Sequence, residues 1–221
     1  MTRFFQGVII KMPKKTKYSC TWDPSVVLNR LAEWYPNESL SLEKLTKKSV
    51  TRMALVTAQR AQTLHSIKVE NFHRDEKFIR IRIDATLKTS KHINTKPVLE
   101  IPYYSQPTVC PARALDAYLE RTQDLRPKNA KKLFITYKNT HHEATVQSVS
   151  RWMKQTLGEC GIDTDIFSAH STRHASTSAA ARKNINVHTI LKAVGWAQNS
   201  ATFATYYNRP LMDANDSPFP F

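Results

Sequence analysis

Cysteine is scarce in this 221-residue chain: Cys20, Cys110 and Cys160 are odd in number, widely spaced and never paired as C-x-x-C. That pattern excludes a disulfide framework and the usual spacing of a structural zinc site, and it fits a reducing compartment. Long hydrophobic runs are absent, and the N-terminal MTRFFQGVIIKM breaks its apolar stretch at Gln6 and Gly7 without a small-residue cleavage pattern. Neither a signal peptide nor a membrane partner is expected, and the sequence reads as intracellular and soluble. Internal repeats are lacking as well. Acidic residues are few, 18 against 33 Lys and Arg, which leaves a formal charge of +15. Such an imbalance concentrates polyanions around a folded chain and makes nucleic acid the leading partner class. The alternative at this level is a basic protein that is merely soluble or rests on anionic lipid.

A hydrophobic content of 41% can fill one substantial core. Residues 1–23 read as a basic tether, since KMPKKTKYSCTWD contains Pro13 and has no amphipathic period. Its KMPKKTK stretch would serve as a nuclear address, so the nucleus is the expected compartment. From Pro24, PSVVLNRLAEWY and SLSLEKLTKKSVTRMALVTA read as helices, the second placing Leu42, Leu45, Ser49, Met53 and Val56 on one stripe. KFIRIRID alternates Ile79, Ile81 and Ile83 with Arg80 and Arg82, the period of a half-buried strand, and VLEIPYY is its expected hairpin partner. Helices are expected again at PARALDAYLERTQD, SVSRWMKQTLGECG, HSTRHASTSAAARK, NVHTILKAVG and SATFATYYN, with KKLFITY short and extended. Val187, Ile190, Leu191 and Val194 share one face, and Gly195 is placed to end that helix. The expected fold is α+β, mainly helical with a small antiparallel β-sheet, in one domain over 24–210 followed by a flexible tail, 211–221.

The stretch FSAHSTRHASTSAA, 167–180, carries His170, Arg173 and His174 among small residues. On a helix, His170 and Arg173 lie three apart and share a face, so both can touch one anion, while the small neighbours allow close approach. His174 points elsewhere, in a packing or supporting role. Alone, this H-x-x-R fits a helix with surface cations better than it fits a site. It does not stand alone. Arg60 lies in TAQRAQTL where a long helix ends, Lys88 lies in the hairpin, and Trp196, Tyr206 and Tyr207 lie in GWAQNSATFATYYNRP.

In this order, Arg, Lys, H-x-x-R, Gly-Trp and Tyr, the chain resembles the catalytic domain of tyrosine recombinases, the phage-integrase family, from about Pro24 to Pro210. The three quoted phrases look most like recombinases of DIRS-like and Crypton-like eukaryotic mobile elements. The resemblance implies site-specific breaking and rejoining of double-stranded DNA through a 3′-phosphotyrosine, without a cofactor or a metal. It implies Arg60 and Arg173 gripping the non-bridging oxygens of the scissile phosphate, because a planar guanidinium presents paired donors. Lys88 would be the acid to the leaving oxygen, His170 would assist proton transfer, Trp196 would donate its indole N–H, and Tyr207, in Tyr-x-Arg, would be the nucleophile, with Tyr206 in a packing role.

Arg80, Arg82, Lys91 and Lys96 are the expected DNA-backbone contacts, with a solvating surface as the equal alternative. THHEAT, containing His141, His142 and Glu143, is expected to be a turn rather than a metal site. Family members work as homo-oligomers, usually tetramers, and carry a separate helical domain ahead of the catalytic one. Only about 23 residues precede it here, implying a fragment or a shortened copy with a weaker grip on DNA. The other function class in view is a catalytically inactive DNA-binding protein derived from a mobile-element recombinase.

Overall fold

The computed structural model describes residues 16–85 and 97–212. Asp23 starts the first helix, α1 (Pro24–Glu33), by accepting the Ser25 N–H at 2.9 Å, and Pro24 occupies the first turn, where a missing N–H costs nothing. Ser41 caps α2 (Leu42–Thr57) in the same way, through the Lys44 N–H. There follow α3 (Ala61–Ser66), strands β1 (Phe72–Arg74), β2 (Phe78–Arg82) and β3 (Val98–Pro102), then α4 (Pro111–Thr122), α5 (Val146–Glu159), α6 (Ser171–Arg182) and α7 (Val187–Val194), and a single π-helical turn, Phe203–Tyr207. The described residues are thus mainly helical, with one small sheet.

The sheet is antiparallel in the order β1-β2-β3, with Ile79 opposite Ile101 and Ile81 opposite Leu99. The alternation read from the sequence holds: Ile79, Ile81 and Ile83 are buried. Strand β1 was not expected, because three partly exposed residues carry no period to read. KKLFITY does not join the sheet and makes only single bridges, Lys68 to Lys132 and Ile135 to Glu143.

Helix α2 is the axis of the molecule, lying against α4, α5, α6 and β3. Its burial therefore runs round the helix from Leu45 to Leu55, and the expected stripe fails at Val56, which is 36% exposed. Likewise Val187, expected on the apolar face of α7, lies at the exposed start of that helix, while Ile190, Leu191 and Val194 are buried. Three apolar clusters result. One joins α2, α4, α5 and the sheet, one gathers Trp22, Leu31 and Phe167, and one gathers Ile190, Trp196, Phe203 and Tyr207. Each fully buried large side chain contributes roughly 1.5–3 kcal/mol.

Packing continues on both sides of the boundaries expected at Pro24 and Pro210. Tyr18 and Trp22 are buried, Trp22 Nε1 donates to Ser171 Oγ at 2.8 Å, and Tyr18 and Ser168 share a hydrogen bond of 2.8 Å. The Thr21 N–H donates to Pro210 O, and the Met212 N–H donates back to Thr21 O. Two aromatics spaced four apart in a segment without a repeating period carry this packing, which hydrophobic periodicity does not detect. Among the described residues, no helix is long and apolar enough to cross a membrane.

Candidate active site

Four element ends bring distant residues together. Helix α2 ends at Ala58 in the left-handed region, φ 49°, which turns the backbone so that Arg60 stands at the start of α3. His170 stands immediately before α6. Gly195, φ 72°, ends α7 as expected, and its successor Trp196 donates its backbone N–H to Leu191 O, which folds the indole back over the helix end. Last, the π turn closes with the Asn208 N–H on Phe203 O. Ser178, a small residue on α6, donates to Tyr207 O at 2.5 Å and accepts the Arg209 N–H at 3.0 Å, pinning the tyrosine segment to the helix.

At the centre lies Tyr207, 6% exposed. Its hydroxyl is 3.1 Å from His170 Nε2. Its ring stacks on His174 with centroids 4.2 Å apart and planes at 23°, and lies 4.6 Å from Trp196. The Arg173 guanidinium stands 4.5 Å from the Trp196 ring centre and 5.6 Å from that of Tyr207. Tyr206 is only partly buried and packs against the α7 cluster.

Arg173 departs from expectation. It is 1% exposed, and its Nη1 and Nη2 donate to Ala58 O and Val194 O at 3.1 and 3.2 Å. These carbonyls terminate α2 and α7, where no helical N–H is left to bond them, and a buried guanidinium needs acceptors in return. So Arg173 first ties two helix ends together beneath Tyr207. Its Nε has no partner among the described residues, and one hydrogen remains on each Nη. Arg60 is half-buried, and its guanidinium has no partner among the described residues.

The electrostatics are one-sided. Burial first, then Arg60, Arg173 and Lys17, push His170 down to about 4. Burial, His170, Arg209, Arg173 and Lys17 push His174 down to about 3. Both imidazoles are therefore neutral at pH 7. Burial and Arg60 also lower the proton affinity of Arg173, which remains charged at neutral pH. Among the described residues no carboxylate contributes to any of the three. A pocket with several cations, neutral imidazoles and no acid among the described residues is suited to an anion, and the hydroxyl within it is positioned to give a proton to His170.

Lys88, Lys91 and Lys96 lie outside the described residues. Arg80 and Arg82 are on the sheet and are already paired: Arg80 with Asp75 and, at 3.0 Å, with Glu100, and Arg82 with Asp84 at 3.1 Å. A phosphate would have to compete with these acids. His141 bonds Thr136 O through Nδ1, and among the described residues no group of three His, Cys, Asp or Glu is placed to hold a metal. Sequence reasoning missed His174 as a wall of the site, and it missed Lys17, Tyr18 and Arg209. Only the closeness of His174 to Arg173 and of Arg209 to Tyr207 hinted at them.

Residues 27–212 match the profile of the phage integrase family. The chain belongs to this family. An integrase/recombinase XerD homolog of Selenomonas ruminantium is 28% identical over 94 residues, 42% of this chain and 28% of that protein. Among solved structures, the XerH site-specific recombinase bound to its difH substrate, a pre-cleavage complex, superposes with a TM-score of 0.64 at 12% identity, over 86% of this chain and 51% of that one. XerA recombinase gives 0.63 at 16% identity, over 92% and 62%. A lambda integrase dimer bound to a COC′ core site gives 0.51 at 16% identity, over 94% and 51%. At these identities the superpositions establish the shared fold. The chain spans about half the length of XerH and 28% of the XerD homolog. It is thus a site-specific tyrosine recombinase/integrase family domain, and its expected catalytic arginine, histidine, tryptophan and tyrosine meet in one place.

Proposed function

We propose that this phage integrase family member cleaves and rejoins double-stranded DNA through Tyr207. The observation that carries the reading is the Tyr207 hydroxyl, hydrogen-bonded to a neutral His170 inside a cluster of Arg60, Arg173, Lys17 and Arg209 to which no described acid contributes. A backbone phosphate entering this cluster supplies the missing negative charge, and that charge offsets the arginine field, so His170 gains proton affinity as the phosphate arrives. Tyr207 Oη then attacks phosphorus as its proton passes to His170 Nε2, and the P–O5′ bond breaks. The products are a 3′-phosphotyrosyl link and a 5′ oxygen that takes a proton, a role we assign to Lys88. Arg60, and the donors of Arg173 not held by carbonyls, stabilise the charge on the non-bridging oxygens; each charged hydrogen bond contributes roughly 1.5–3 kcal/mol. Attack by a 5′ hydroxyl from a second strand reverses these steps and reseals the duplex.

The XerH and lambda integrase structures, each bound to its own DNA, support DNA as the partner and assembly of several copies on it. We assign a tetramer as the working assembly, a eukaryotic mobile element of the DIRS-like or Crypton-like kind as the origin, and the nucleus as the compartment, on the phrases and the KMPKKTK stretch quoted above. A second reading, DNA binding without chemistry, draws on one observation: the depth of Arg173 and the commitment of two of its donors to backbone carbonyls.

A duplex carrying a nick beside the cut site traps the covalent intermediate and separates the two. The expected result is a protein–DNA adduct at low salt that is lost in Tyr207→Phe and kept in Tyr206→Phe. An adduct persisting in Tyr207→Phe removes Tyr207 as nucleophile. DNA binding with no adduct across a panel of such duplexes favours the binding protein.

A further inference from the structure

The segment ahead of α1 reaches the nucleophile in two contacts. Tyr18 is 5% exposed, and its ring meets that of His174 edge to face, with centroids 5.0 Å apart and planes at 85°. The opposite side of this contact is the stack already described, His174 on Tyr207 at 4.2 Å. His174 is 4% exposed, its Nδ1 has no hydrogen-bond partner among the described residues, and its other ring neighbour is His170, edge to face at 5.4 Å. Its place between Tyr18 and Tyr207 is therefore set by ring packing, where edge-to-face and offset-stacked geometries are favoured.

Tyr18 itself is well anchored. Its hydroxyl shares a 2.8 Å hydrogen bond with Ser168 Oγ and accepts the Ser168 N–H at 3.3 Å. Lys17 Nζ donates to the same Ser168 Oγ, and Trp22 Nε1 donates to Ser171 Oγ. These bonds fix the segment to the two serines that flank His170, so it braces both histidines of the site at once.

We infer that Tyr18 is a positioning residue for the cleavage reaction, holding His174 and through it the Tyr207 ring, so that the hydroxyl meets His170. The inference rests on the cleavage reading above and extends it to a segment outside the six expected side chains. A segment lying ahead of the first helix thereby bears on the nucleophile, so a displacement of Tyr18 is felt at Tyr207 without any change in the DNA-contacting cations.

The test compares Tyr18→Phe, which keeps the ring, with Tyr18→Ala and Tyr18→Leu, which remove it. Leucine retains apolar bulk in case alanine unfolds the segment. Single-turnover cleavage of the nicked duplex is expected to fall between about tenfold and a hundredfold in the alanine and leucine variants, the scale of a misplaced reacting group. Tyr18→Phe should stay near the parent rate, and DNA affinity should stay within about twofold throughout, since no phosphate-contacting charge changes. In a His174→Ala background the same Tyr18 substitutions should cost nothing further. A fully additive loss, or full-rate cleavage by the folded Tyr18→Leu protein, overturns the inference.

One readout needs no activity: in the DNA-free protein with 13C-labelled tyrosine, the Tyr207 ring signals should shift in Tyr18→Leu and hold in Tyr18→Phe. Unmoved signals overturn the bracing role even where cleavage is normal. Absence of cleavage by the parent protein counts against the proposed function alone.

Discussion

Tyr207 lies flat against His174, with ring centres 4.2 Å apart, while its hydroxyl reaches 3.1 Å to the neighbouring His170. The two histidines thus divide the work on one tyrosine, His174 holding the ring and His170 receiving the hydroxyl. Trp196 packs against the same ring at 4.6 Å, and Arg173 is close by, bonded to the carbonyls that end α2 and α7. Tyr207 is therefore held by side chains on α6 and at two helix ends, elements rigid enough to fix a reacting group.

Replacing His170 by alanine should separate proton transfer from binding. A neutral imidazole adds little to phosphate affinity, which depends on fixed charge. Single-turnover cleavage is expected to fall by about 10²–10⁴, the usual contribution of a positioned acid–base group. DNA affinity measured by fluorescence anisotropy should hardly change. An unaltered cleavage rate in His170→Ala removes this histidine from the reaction.

Arg173→Lys keeps the charge but cannot reproduce the geometry. One ammonium on a flexible stem does not span Ala58 O and Val194 O as the guanidinium fork does, so a buried carbonyl loses its donor. The expected cost in urea unfolding is about 1–3 kcal/mol, with cleavage reduced at least tenfold as the helix ends move. Parent-like stability would show that the two carbonyl bonds are dispensable.

These two residues also mark what the sequence disclosed. The type and order of Arg60, His170, Arg173, Trp196 and Tyr207 were readable because each is chemically distinctive, and so were the main helices and the Ile79, Ile81, Ile83 alternation. Depth was not readable. Nothing in H-x-x-R says that the arginine is buried and serves two helix ends, because its acceptors are backbone carbonyls, which every residue carries. The Tyr18 and Trp22 contacts were hidden for a related reason: two aromatics in a basic, aperiodic stretch acquire a partner only when Ser168, Ser171 and His174 are folded beside them. Conversely, Val56 and Val187 continued apolar stripes past the point where another element covers them.

Trp196 fills space and carries one donor, and two substitutions separate these parts. Trp196→Ala leaves a cavity among Phe203, Tyr207 and Arg173, at an expected cost of about 3–5 kcal/mol. Trp196→Phe keeps one aromatic ring and loses the indole N–H together with the volume of the five-membered ring. If that N–H donates to the phosphate, cleavage should drop about tenfold in the phenylalanine variant while most of the stability remains. Equal rates for Trp196→Phe and the parent confine this residue to packing.

Lys48 predicts a rise in stability towards alkaline pH. It is wholly buried on α2, donates to Asn37 Oδ1 at 2.7 Å and to Trp34 O, and has Arg52 as a charged neighbour. Burial, then Arg52, push its ammonium down to about 7 from an ordinary value of 10.5. Between these values the unfolded chain binds more protons than the folded one, so folding strengthens as pH rises from about 7 towards 10.5. Urea midpoints at pH 7, 8 and 9 should climb in the parent and climb less in Lys48→Met. Identical slopes would mean that Lys48 keeps its ordinary proton affinity.

The acid side of the profile belongs to the two site histidines. Burial and nearby cations hold His170 at about 4 and His174 at about 3 in the folded protein, against 6.5 when unfolded. A group whose folded value is depressed supports folding fully above its unfolded value and loses that contribution as pH falls through the folded one. Stability is therefore expected to be flat in these groups above about 6.5 and to decline from there towards 4, by at most about 1.4 kcal/mol per pH unit for each histidine. His174→Phe, which keeps a ring to stack on Tyr207, should remove one histidine's share of that slope between pH 6.5 and 5, a range above the ordinary titration of carboxylates. Unfolding free energies measured at pH 7, 6 and 5 check this directly. A slope unchanged by His174→Phe would mean that the imidazole titrates normally and is open to water, which contradicts its enclosure between Tyr18 and Tyr207.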